Sequence, residues 1–148
     1  MDREDTNSRD GKFAALSSSR KSDMECVFLT CLDSEFQLAG LLRAFGIRVY
    51  RADTVEEADF LLMVTDATVL LADRVFLDGT WEDAARMLAR AHPRISLAVI
   101  AEDIDERIRV DACYWGVSDL LSKPLRMGEF RRVICSAHAD YVERSVSR

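Results

Sequence analysis

The chain has 148 residues and a formal net charge of -6, with 49% apolar and 31% charged residues. That is the length of one domain, and it carries enough apolar material for one core without disulfide staples. The acidic balance argues against a general nucleic-acid surface, which needs a basic face, and there is no apolar run of about 18 residues to cross a membrane and no apolar N-terminal segment of the secretory type.

Four cysteines, Cys26, Cys31, Cys113 and Cys135, form no CxxC pair and lie near no histidine cluster, so free thiols in a reducing cytoplasm are expected. His92 and His138 are the only histidines, which excludes a His-rich metal site.

Residues 1–23 are polar apart from Phe13, Ala14, Ala15 and Leu16, and their composition predicts a disordered tail. A domain over 24–143 and a short C-terminal tail over 144–148 are expected. Cys26–Leu32 is a continuous apolar run, the pattern of a parallel strand buried on both faces. Residues 33–46 follow with Phe36, Ala39 and Leu42, and Leu38, Leu41 and Phe45, at helical spacing, stopped by Gly46. Ile47–Ala52 alternates and predicts an edge strand.

Thr54 and Glu57 have the spacing of a capping box before a helix over Val55–Val64. Thr68–Ala72 is a third apolar strand, and Asp78-Gly79 marks a turn. Thr80 is placed to cap a helix with Trp81, Ala84, Ala85 and Leu88, which ends at His92-Pro93. Ile95–Ala101 is a fourth strand, Asp105–Trp115 a helix closed by Gly116, and Val117–Ser122 a fifth strand. Phe130, Val133, Ile134, Ala137 and Tyr141 line one face of a last helix.

Strand and helix alternate throughout, which predicts a doubly wound α/β domain of the flavodoxin-like type, with a parallel sheet covered on both faces. Its site belongs at the carboxyl ends of the strands, after Leu32, Leu71, Ala101 and Ser122.

Gly116–Pro124, GVSDLLSKP, resembles the G-A-D-D-Y-L-x-K-P segment of response-regulator receiver domains of the CheY-like type. Thr54–Asp59 is similar to that family's D-G-x-E-A-L helix start, and Asp66–Gly79 to its D-L-V-L-L-D and M-P-x-M-D-G stretch. The resemblance covers Cys26 to Tyr141 and implies five parallel strands in the order 2-1-3-4-5 flanked by five helices. It further implies a phosphoacceptor aspartate ending the third strand and an acidic pair ending the first strand that holds Mg²⁺. A Ser/Thr after the fourth strand and a lysine after the fifth would contact the phosphoryl group.

Measured against that pattern, Lys123 and Pro124 are kept, and the resemblance implies a cis bond before the proline. Cys31-Leu32 stand where the acidic pair would be, with Asp33 one step late. Ala101 stands at the Ser/Thr position and Leu120 at that of the switch aromatic. A gapless register keeps Asp66, Asp78-Gly79, Ala101 and Lys123 in step and puts Leu71 at the acceptor position. A loop two residues shorter would make Asp73 the acceptor instead. The gapless register is preferred because it accounts for all of those landmarks together.

Lys123 is then expected to pair with Asp33 or Asp73, or to reach solvent. Glu102, Asp103, Asp105 and Glu106 are read as a solvated loop at a helix N-terminus rather than a cation site. Tyr114, Trp115, Leu120, Arg131 and Arg132, with Arg126 and Arg144 nearby, are the candidate interface.

The functional expectation is a pseudo-receiver in signal transduction: not an enzyme, without a cofactor, and working through a signalling protein or a second copy of itself. The proposed contact face is the last two helices and the fifth strand, with no membrane or direct nucleic-acid partner. Two alternatives stand beside it. One is an active receiver using Asp73, with Mg²⁺ at Asp33 and Asp73, as a phosphorelay module or the regulatory domain of a transcription factor. The other is a small-ligand-binding domain.

Overall fold

A computed structural model describes residues 24–146. The expectation of a disordered tail over residues 1–23 lies outside the described residues, as do residues 147–148. The elements are β1 (Met24–Leu29), α1 (Asp33–Gly40), β2 (Ile47–Ala52), α2 (Val55–Val64), β3 (Val69–Asp73), β4 (Val75–Phe76), β5 (Gly79–Thr80), α3 (Trp81–Ala91), β6 (Ser96–Ala101), α4 (Glu106–Trp115), β7 (Asp119–Ser122) and α5 (Met127–Val146). β2, β1, β3, β6 and β7 form one parallel sheet in that order, which is the doubly wound 2-1-3-4-5 arrangement.

Alternation along each strand divides the core into two layers. Val27, Leu29, Leu70, Ala72 and Val99 face α2, α3 and α4, together with Trp81, Met87 and Ile108. Cys26, Phe28, Val69, Leu71 and Ile100 face α1 and α5, together with Leu42, Phe130 and Ile134. The central strands β1, β3 and β6 are covered on both faces, which is why they read as unbroken apolar runs. The more polar β2 and β7 are the edges.

The structure departs from the expectations in five places. β1 ends at Leu29 rather than Leu32, so Thr30-Cys31-Leu32 is a connection rather than a strand. The first helix stops at Gly40 and tightens into a 3₁₀ turn over Leu41–Phe45, closed by Gly46 at φ 77°. The loop after β3 contains the β4–β5 antiparallel hairpin, where only a turn at Asp78-Gly79 was expected. Glu57 does not complete a box on Thr54. Thr54 accepts from the Glu57 N–H, but the Glu57 carboxylate accepts from the Asp53 N–H one residue earlier, and Asp78 accepts from the Val55 N–H. Finally, residues 144–146, placed in the tail from the sequence, continue α5.

Gly116 ends α4 at φ 76°, and its N–H bonds to the Ala112 and Cys113 carbonyls. A Cβ there would meet nothing within 4 Å. Gly116→Ala therefore tests backbone strain alone. We expect it to lower the unfolding free energy by about 1–2 kcal/mol, seen as a lower urea midpoint at unchanged slope.

Candidate functional site at the carboxyl ends of the strands

Thr30 follows β1, Asp73 ends β3, Ala101 ends β6 and Lys123 follows β7. β1 and β3 run in register, with Leu29 opposite Ala72, so Thr30 and Asp73 share the face of Phe28 and Leu71. Asp73 is 3% exposed, and burying a carboxylate is costly unless it is paired and hydrogen-bonded. Both conditions are met. The Thr30 hydroxyl donates to Asp73 Oδ2, and the Lys123 ammonium lies 3.8 Å from Oδ1. Thr30 is itself fixed: its Oγ1 accepts from the Leu32 N–H at 3.0 Å, and its backbone N–H bonds to Ala52 O.

Lys123 is placed by its own N–H, which bonds to Ala101 O at 3.1 Å, and the Lys123–Pro124 bond that follows is cis. The buried Ala101 adds no polar side-chain atom.

The preferred register is corrected at this point. Leu71 is fully buried in the apolar layer against α1 and α5. The strand end is occupied by Asp73, as the shorter-loop alternative requires. The placement of the first-strand pair shifts as well. Cys31 and Leu32 are exposed, and the side chain that reaches Asp73 is Thr30. Thr30 was not singled out from the sequence, although it is the one polar residue within Cys26–Leu32 whose parity matches Cys26 and Phe28.

Asp33 takes no part in this arrangement. Its side chain is 80% exposed and its carboxylate bonds to Arg51 Nη1, an attachment that also pushes the Arg51 guanidinium pKa further up. Of the two carboxylates expected for Lys123, the structure pairs it with Asp73.

Mg²⁺ requires near-octahedral oxygen ligation and one or two carboxylates. Among the described residues no group of three or more His, Cys, Asp or Glu is arranged so that it could hold a metal ion. At Asp73, one carboxylate oxygen already receives the Thr30 proton and the other faces an ammonium, whose charge opposes a second cation. These residues do not fit a magnesium ion. Asp105 in the acidic loop serves as the α4 cap, accepting from the Ile108 N–H at 3.0 Å.

The candidate interface residues do not form one face. Tyr114 is 81% exposed, but Trp115 turns toward α3, where Arg86 lies 5.0 Å over its ring. Leu120 packs into the α2–α4 layer. Arg131 stacks at 4.5 Å on Phe45, on the opposite side of the sheet, and Arg144 binds Arg94 O and Ser96 Oγ. All four cysteines are free, and burial drives the Cys26 thiol pKa far upward, so it stays neutral.

No protein-family model matches the chain, and no curated protein matches it in sequence. Solved structures do. A response regulator receiver protein from Pseudomonas putida is 22% identical, with 78% of this chain and 98% of that chain covered and a TM-score of 0.69. The receiver domain of a sensor histidine kinase from Pseudomonas aeruginosa, with a magnesium ion in its active site cleft, is 17% identical over 76% of this chain and 95% of that chain, at TM-score 0.66. An adenylate cyclase from Rhodopirellula baltica is 15% identical over 84% of this chain and 94% of that chain, at TM-score 0.75. The chain therefore has the CheY-like receiver fold of response regulators. A fold shared among proteins of such different names does not fix the activity of this one. No helix among the described residues is long and apolar enough to cross a membrane.

Proposed function

We propose that this chain is an atypical receiver, a regulatory module of two-component type that acts by binding another protein and does not depend on stable phosphorylation of Asp73. One observation carries the reading. Among the described residues the buried carboxylate is Asp73, and it lies against a hydroxyl and an ammonium, where the resemblance calls for a cluster of carboxylates around a cation. Phosphoryl transfer is driven by positioning and charge neutralisation. Here Lys123 can offset part of the charge developing on an entering phosphoryl group, but no second carboxylate recruits a metal, and Ala101 offers no hydroxyl.

The active-receiver reading keeps one specific support, the position of Asp73 at the end of β3 beside Lys123. A magnesium titration separates the two. We expect Mg²⁺ through the millimolar range to leave the melting temperature and tryptophan fluorescence unchanged, since a ligand that does not bind the native state cannot stabilise it. Saturable stabilisation by Mg²⁺ that disappears in Asp73→Asn would overturn the proposal. Thr30→Asp places a second carboxylate against Asp73 and is expected to acquire the Mg²⁺ response that the native chain lacks.

A further inference from the structure

We infer that the groove between α3 and α4 is a docking site for an acidic protein segment that presents one bulky apolar side chain. The inference extends the proposed function by naming the chemistry of the partner. It rests on that reading only for the existence of a protein partner, and not on the state of Asp73.

The groove has a volume of about 310 Å³ and is lined by Ala85, Leu88 and Ala89 of α3, by Pro93 and by Trp115. Its shape follows from the sequence. Ala85 and Ala89 stand one helical turn apart, and their small side chains leave a trough that Leu88 floors and Trp115 walls. The lining carries no charged group.

The rim is basic. Arg86 follows Ala85 and lies over the Trp115 ring, and Arg90 follows Ala89 one turn further on, exposed in the last turn of α3. Arg86 already bonds to Asp83 at 2.8 Å, so a carboxylate is its demonstrated kind of partner. Beyond the groove, Tyr114 stands edge-on to Trp115 with centroids 5.4 Å apart and is the most exposed aromatic of α4. An apolar trough with an aromatic wall and arginines beside it is the composition of an anchor pocket with a charged rim. A basic segment would meet Arg86 and Arg90 unfavourably, whereas a carboxylate can join Asp83 at Arg86 and meet Arg90 on the same side of α3. The upper part of the same helix pair, around Arg74 and Arg107, carries Glu82, Asp105 and Asp111 and shows no such bias.

The test uses the full chain, isotopically labelled, titrated with three short capped peptides followed by amide shifts. One peptide carries glutamates around a central phenylalanine, one replaces the glutamates by lysines, and one replaces the phenylalanine by alanine. The glutamate–phenylalanine peptide is expected to shift residues 85–90 and 114–116 saturably, while the other two are not. Ala89→Trp fills the trough from an exposed position, and Arg90→Glu reverses the rim. Each should weaken binding by about tenfold, the effect of losing one anchor contact, while Arg132→Glu on α5 leaves it unchanged. Shifts that map elsewhere, or equal binding of the lysine peptide, would overturn the assignment. So would an anilinonaphthalene sulfonate that binds the groove while no peptide does, since that would mark a small-molecule pocket. None of these outcomes bears on whether Asp73 accepts phosphate.

Discussion

Phe28→Ala is expected to lower the unfolding free energy by about 3–5 kcal/mol, the largest effect of any single change considered for this chain. Phe28 is fully buried in β1, and its ring meets Phe130 of α5 edge-on, with centroids 5.9 Å apart and planes at 80°. Truncation removes a transfer term and that ring contact together, and leaves a cavity between two elements that cannot collapse independently. Phe130 shares that layer with Leu71 and Ile100 of the central strands, so the loss should reach the strand ends as well. Phe28→Leu, which retains most of the volume, is expected to recover more than half of the loss. Urea unfolding of the three proteins measures it. Equal stabilities would mean that β1 and α5 do not share one packed layer.

Lys123→Ala is expected to cost about 2–3 kcal/mol, although it removes a side chain that is one-fifth exposed. The reason lies with its partner. Asp73 is 4% exposed at its side chain, and without Lys123 its charge keeps the Thr30 hydroxyl bond but loses the ammonium 3.8 Å away. The estimate sits below the range for a fully buried pair because the separation is 3.8 Å and Lys123 still touches solvent. Removing the charge from both sides, as Asp73→Asn with Lys123→Met, should restore most of the stability. With Asp73→Asn and Lys123→Met also made singly, the double-mutant cycle gives a coupling of at least about 1 kcal/mol. Additive single effects would show that the two groups do not interact.

The fold was open to reading because its signals are periodic. Strand runs such as Ile47–Ala52 and helix stops such as Gly46 and Gly116 are local properties, and the alternating order they spell leaves few topologies. The site was harder, because it depends on register, where a shift of two residues preserves the side of the sheet and so leaves the hydrophobic pattern intact. Leu71 and Asp73 share a face, and nothing in composition says which one ends the strand. The pairing of β3 with β1 and β6 decides it, with Asp73 opposite Ile100 at the end of the strand. Thr30 was hidden for a related reason: a threonine inside an apolar run reads as strand interior until its partner on β3 is known. Trp115, Leu120 and Arg131 were grouped by their places in the chain, and packing sends them to different sides of the sheet.

The central claim concerns Asp73, and intact-mass measurement after incubation with acetyl phosphate and Mg²⁺ tests it most directly. The account predicts a single species at the mass of the untreated chain, for the native protein and for Asp73→Asn alike. A species heavier by one phosphoryl group in the native chain, and missing from Asp73→Asn, would contradict it and make this domain an active phosphoacceptor.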